Sequence, residues 1–284
     1  MRAPAHLHDL TFDTEVAAGP YPPQGFLPIA EGALGNGDCF GLYWPLGREG
    51  ALPLVCEMFH DEGRMVYSHS SLDVFVHWLG INRALDEDAW DDDEWDPRAH
   101  DVDDADSPFR LVELAQGHVA AGEPAAAIPL LDAATAAFPD LQKGWAMLAG
   151  QHMRLRNAEL AVRAARSAVL ANWAFGVPEA GVLRILKSAH AGEDPVVAMA
   201  QQMGFAFGGA RNNPDYALMQ ACIDRCWQIG DREAALRLSH NRCYVLAAET
   251  VSFQERERFD LPAWQLAFRE QCRLALGDDR QRMQ

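Results

Sequence analysis

Two hydrophobic periodicities divide the chain. As far as about Asn82 the apolar residues come in short runs, Phe26-Leu27-Pro28-Ile29-Ala30, Cys39-Phe40-Gly41-Leu42-Tyr43-Trp44 and Leu52-Pro53-Leu54-Val55-Cys56, separated by turn formers such as Gly35-Asn36-Gly37-Asp38 and Asp61-Glu62-Gly63. Short runs with that punctuation predict the strands of a small antiparallel sheet. The period then lengthens: Leu72, Phe75, Val76 and Leu79 fall at i, i+3, i+4 and i+7 behind Ser70 and Ser71 as N-cap candidates, which predicts a helix packed on the sheet. From Ser107 onward Ala, Leu, Arg and Glu dominate and proline is sparse, so the chain reads as helical.

The helical part repeats itself. A shift of 34 residues superimposes Leu111 on Trp145, Leu114 on Leu148, Ala115 on Ala149, His118 on His152, Ala127 on Ala161 and Ala134 on Ala168. Two antiparallel helices approach closely only where a side chain is as small as a methyl, which is the reason for alanine at recurring places. With Pro108 as the first place, Gly122 falls at the turn between helices and Pro139 at the end of the second helix; the second copy starts at Gln142, with Asn157 at its turn and Trp173 in place of the proline. A weaker third copy starts near Tyr216, with Gly230 at the turn and Ala235 beyond it. Pro178 to Ala191 predicts a helix in no clean register, and further helices are predicted over Pro195–Phe207 and Leu261–Leu276. His118 and His152 recur with the repeat and are expected to pack or hydrogen-bond between helices.

This pattern resembles the tetratricopeptide repeat. The resemblance implies a concave groove lined by the first helix of each hairpin, which on this sequence would present Gln116, Val119, Lys143, Met153, Arg154, Gln220, Asp224 and Trp227 to a protein partner.

Charge sharpens the boundary between the two textures. Of the net −17, the stretch from Asp86 to Asp106 carries −11, with twelve acids and the single base Arg98. Like charges oppose compaction, so residues 83–107 read as an acidic, solvated linker. A sharper expectation is a polyanionic arm, anchored by Trp90 and Trp95, whose Asp91, Asp92, Asp93 and Glu94 cover a basic surface on a partner protein. The same balance argues against nucleic acid and anionic membranes as partners. No apolar stretch approaches the roughly 20 residues that cross a bilayer, and charged residues stand where a signal peptide would be apolar, so a cytoplasmic protein is expected. The six cysteines form no CxxC pair and read as reduced, buried thiols. Oligomeric state is left open.

The string from Phe26-Leu27-Pro28-Ile29-Ala30 through Gly37-Asp38-Cys39-Phe40-Gly41-Leu42 and Leu54-Val55-Cys56-Glu57-Met58-Phe59-His60-Asp61 to Ser70-Ser71-Leu72-Asp73-Val74-Phe75-Val76-His77-Trp78-Leu79 resembles the SMI1/KNR4 (SUKH) superfamily. The family's usual opening helices are not evident in Met1–Gln24. The resemblance implies binding, most concretely as an immunity protein that neutralises a bacterial toxin.

Catalytic signatures are missing from the sequence. No Ser or Cys sits in a G-x-S-x-G setting, and Gly32-Ala33-Leu34-Gly35-Asn36-Gly37 lacks the Lys and following helix of a phosphate-binding loop. His60-Asp61-Glu62, with His69 and His77, matches no familiar metal-ligand spacing. The expectation is therefore an α+β domain over residues 1–82 with a small antiparallel sheet and packed helix, an acidic linker over 83–107, and an all-α repeat array over 108–284. It would bind a protein, a basic toxin or a secreted effector, without catalysis, cofactor or metal. An adaptor or chaperone for an effector is the alternative, and an unrecognised hydrolase a more distant one.

Overall fold

The turn-bounded runs become four antiparallel strands, β1 (Phe26–Ala33), β2 (Cys39–Tyr43), β3 (Leu54–Phe59) and β4 (Arg64–His69), in the spatial order β1-β2-β3-β4. The computed structural model describes residues 2–12, 25–33, 37–84, 103–190, 192–208 and 213–277. Alternation assigns the strand faces. Phe40, Leu42 and Val55 point to helix α1 (Leu72–Ala84), where they meet Leu72, Phe75 and Trp78. Cys39, Tyr43, Cys56, Met58, Met65 and Tyr67 point the other way, into the core of the helical region. A sheet covered on both faces needs apolar residues at both parities, which is why its strands read as continuous apolar runs.

β4 was not anticipated from the sequence, where the turn at Asp61-Glu62-Gly63 leads straight to the helix cap. Its residues Arg64-Met65-Val66-Tyr67-Ser68-His69 alternate too briefly to stand out, and a bulge interrupts them: Val55 pairs with His69 but Cys56 with Tyr67, leaving Ser68 as the extra residue. The bulge turns His69 toward α1, where its ring lies 5.7 Å from Phe75 and 5.3 Å from Trp78.

The helical region holds ten further α-helices among the described residues: α2 (Pro108–Ala120), α3 (Pro124–Ala137), α4 (Gln142–Arg154), α5 (Ala158–Leu170), α6 (Ala180–Ser188), α7 (Pro195–Gln202), α8 (Asp215–Ile229), α9 (Arg232–Ala247), α10 (Val251–Arg256) and α11 (Leu261–Leu276). None is long and apolar enough to cross a membrane. Proline opens α2, α3 and α7, where its missing N–H is no loss. Asp194, Asp231 and Asp260 cap α7, α9 and α11 by accepting from backbone N–H groups of the first turn.

Both helices of the α4/α5 hairpin begin 34 residues after their counterparts in α2/α3. The alanines that the period aligned, Ala115, Ala127, Ala134, Ala149, Ala161 and Ala168, are all fully buried. The register then breaks: α6 starts 38 residues after α4, and the extra chain forms a 3₁₀ turn (Trp173–Phe175) and an extended segment through Gly176 and Val177. In the second hairpin the left-handed turn residue is Arg156 (φ 61°), the counterpart of Gly122 (φ 79°); Asn157, expected at the turn, is the N-cap of α5. The third hairpin, α8/α9, turns at Gly230 (φ 83°). Helix α11 spans the residues its pattern predicts, whereas the short α10 was not foreseen.

A buried polar cluster welds the sheet to the helices. Tyr43 on β2 donates to Asp140 Oδ2 (2.8 Å) and accepts from Asn172 Nδ2 (3.0 Å). Asp140 Oδ1 accepts from the Asn172 backbone N–H (2.9 Å) and from Arg237 on α9 (3.2 Å). Arg237 also donates to the Leu46 carbonyl (2.8 Å) and to Glu233 (2.9 Å). Neither end of the expected acidic linker is free chain: α1 extends to Ala84, and Asp104 accepts from Tyr67 Oη (3.0 Å) and the Ser70 N–H (2.8 Å). Trp90, Asp91, Asp92, Asp93, Glu94 and Trp95 lie outside the described residues.

Candidate functional site

The break in the repeat register opens a groove of about 460 Å³. One wall is four consecutive residues of β4, Arg64 to Tyr67; the other is the irregular chain from Trp173 to Val177 together with Glu179. Phe109 of α2 and Tyr244 of α9 also line it, and the joint from Phe138 to Lys143 supplies the floor. Tyr67 stacks on Phe109 (4.8 Å between ring centroids, 12° between planes), and Phe138 meets Phe175 edge-on at 4.9 Å. Phe109 and Val177 are partly exposed, so aromatic and aliphatic surface is open to a ligand. A mainly apolar concavity of this size with a few polar groups is the usual form of a binding site.

The polar groups fall into two kinds. Those in the floor are already committed. Asp140 is buried and satisfied by Tyr43, Asn172 and Arg237. Burial opposes the charge of Arg237, but Asp140 and Glu233 outweigh it and hold the guanidinium above its usual range. Burial, reinforced by Asp140, pushes the Tyr43 phenol well above its usual range; burial does the same to Tyr67, with Asp104 adding to it. Gln142 donates from Nε2 to the Ala168 carbonyl (2.8 Å), while its buried Oε1 has no partner among the described residues. On the rim, Lys143 and Glu179 are exposed and enter no ion pair among the described residues. Arg64 pairs with Glu62 (2.8 Å) and lies over the Phe59 ring.

The residues assigned to a repeat groove do not converge on one place. Lys143 is on the aromatic groove. Gln220, Asp224 and Trp227 line a separate cleft of about 240 Å³ between α8, α9 and α11, where Gln220 donates to Asp224 (2.9 Å). Gln116, Met153 and Arg154 border neither cleft; Met153 is exposed, and Arg154 donates to Gln151 (3.2 Å). Val119 packs partly buried against the core. Tyr67, Phe109, Phe175 and Tyr244 were missed. A strand too short to recognise carries the first, and the others follow from a break in the repeat whose spatial effect sequence alone does not show.

Other candidate clusters are occupied by their own neighbours. His60 lies between Asp38 (3.0 Å) and Asp61 (2.7 Å) at the β3–β4 turn, at the opposite end of that hairpin from His69, which pairs with Val55 and is buried among the α1 rings. A polar cleft of about 390 Å³ contains Arg166 and Arg237, but Arg166 is bridged by Asp194 (2.7 Å) and Asp231 (2.5 Å). Cys222 and Cys226 share a face of α8, where the Cys222 thiol lowers the Cys226 pKa by hydrogen bonding; both are buried and form no disulfide among the described residues.

Comparison with known proteins brings the two halves together. The YfbP N-terminal domain model matches residues 11–91, covering the sheet and α1, and the YfbP C-terminal domain model matches residues 206–284, covering α8 to α11. The uncharacterized protein YfbP of Escherichia coli (strain K12) is 38% identical over 271 residues, 93% of each chain. No solved structure matches. An alignment running through both matched domains and the repeat between them places the chain in the YfbP family.

Proposed function

We propose that the protein acts by binding another polypeptide, without catalysing a reaction on it, and that the aromatic groove is the contact surface. The observation that carries this is the character of the groove: open aromatic and aliphatic walls, a buried acid already satisfied on both oxygens, and, among the described residues, unpaired charges at the rim alone. Such a surface suits recognition better than proton transfer, which needs an acid or base within reach of substrate. Its most concrete form is an immunity protein that holds a bacterial toxin inactive, a role suggested by the SUKH-like strand and helix order. An adaptor for a secreted effector uses the same surface. The six free, buried thiols suit the reducing cytoplasm, where we place the protein.

The test is recovery of a partner. Full-length tagged protein, cross-linked in its native host, is expected to retain a stoichiometric protein, and Val177→Asp at the exposed groove rim is expected to lower recovery roughly tenfold. Recovery of no protein under cross-linking would remove the binding role. Undiminished recovery with Val177→Asp would move the contact away from the groove.

A further inference from the structure

Side chains of a strand alternate between its two faces. Four consecutive residues, Arg64, Met65, Val66 and Tyr67, nevertheless border one groove. Residues of both faces lining one groove places it along the edge of the strand, consistent with β4 being an edge strand.

β4 is the last strand of the sheet, and among the described residues no backbone hydrogen bond joins its outer side to another segment. The opposite edge is treated differently: β1 is covered by residues 11–12, through Ala30 N–H to the Thr11 carbonyl (2.8 Å) and the Phe12–Ile29 bridge. Proteins usually blunt an open edge with charge, proline or a bulge. Here Arg64 stands at one end and the Ser68 bulge at the other, and the Met65-Val66-Tyr67 edge between them pairs with no further strand among the described residues.

Resting on the reading of the groove as a polypeptide site, we propose that it takes an extended segment of a partner protein, which pairs as a fifth strand with β4, sets an apolar side chain against Phe109 and Phe175, and directs a carboxylate to Lys143. Strand addition supplies affinity through main-chain hydrogen bonds and specificity through the pockets beside them. The charge requirement follows from Lys143, which enters no ion pair among the described residues and stands on the groove of a chain whose net charge is −17.

The test pans a phage-displayed library of short random peptides on the full-length protein. Enriched peptides are expected to be proline-free, to alternate apolar residues and to carry an Asp or Glu. A synthetic winner is expected to slow amide hydrogen exchange at Arg64 to Tyr67, to bind roughly tenfold more weakly when alternate backbone nitrogens are methylated, and to lose a similar factor against Lys143→Glu. Lys143 is exposed, so an unchanged melting temperature of that variant confirms its fold. Failure to enrich any peptide, a winner that leaves β4 exchange unchanged, indifference to either change, or concentration-dependent self-association protecting β4 would each overturn the proposal. If a cross-linked host protein instead protects the α8 cleft around Trp227, strand pairing falls while protein binding stands.

Discussion

The first two helical hairpins share one 34-residue plan and put it to different uses. Leu114 on α2 is 53% exposed, whereas its counterpart Leu148 on α4 is 3% exposed. His118 is paired with Glu123 in the turn (2.8 Å), and His152 is buried with its Nδ1 unpartnered among the described residues. After the first hairpin comes Asp140, held by three partners; at the same place after the second stands Ala174. The cause is position in the stack: α4 has α2 on one side and α6 on the other, while α2 is the first helix of the array. A repeat therefore specifies backbone geometry, and neighbours decide what each equivalent residue does.

Making Asp140 like its counterpart is the most damaging way to erase that difference. Asp140→Ala leaves Arg237 and Tyr43 buried without their acceptor and is expected to cost about 3–5 kcal/mol in chemical denaturation. A loss below about 1 kcal/mol would mean that the cluster is replaceable by water. Next, Leu148→Ala is expected to cost about 2–5 kcal/mol, against less than about 0.5 kcal/mol for Leu114→Ala. Equal costs would break the contrast between the two hairpins.

High pH separates the regions in another way. The unfolded chain releases the protons of Tyr43 and Tyr67 near pH 10, but the folded protein keeps them to higher pH because both pKa values are raised. Stability is thus full below about pH 10 and falls as pH rises above it, by about 1.4 kcal/mol per pH unit for each tyrosine. Urea denaturation of Tyr67→Phe across that window should show a shallower decline; an unchanged slope would place the titration elsewhere.

The smallest effects come from the turns. A methyl group at Gly122 would meet only open space, but φ there is positive, so Gly122→Ala is expected to cost about 1 kcal/mol through the backbone alone. Arg156→Gly at the equivalent left-handed position is expected to stabilise the protein by a similar amount. Thermal melts of the two variants moving in the same direction would contradict the equivalence of the turns.

Legibility in the sequence followed the same divide between local plan and long-range use. The period of 34 located α2 to α5, and the alanines it aligned are fully buried, because helix packing writes small residues at regular intervals. The apolar runs marked β1 to β3, the i, i+3, i+4, i+7 spacing marked α1, and the helix expected over Leu261–Leu276 is α11. What stayed hidden was whatever depends on distant chain: Tyr43 meeting Asp140 and Asn172, Tyr67 stacking on Phe109, and the groove that four extra residues open beside β4. Among the described residues, Lys143 alone of the expected binding residues reaches that groove.

The bond from Arg237 to the Leu46 carbonyl spans 191 residues of chain, and this sets a schedule for synthesis. At elongation rates of about 5–20 residues per second, the helical face of the sheet waits roughly ten seconds or more for α9 to leave the ribosome. Through that interval Cys56, Met58 and Met65 lack the cover they have in the finished molecule. Stalled nascent chains ending before Arg237 are expected to be cut by protease within the sheet, and chains extending well past Ala247 to resist. Equal resistance at both lengths would show that the sheet is secured earlier, by α2 to α5 alone.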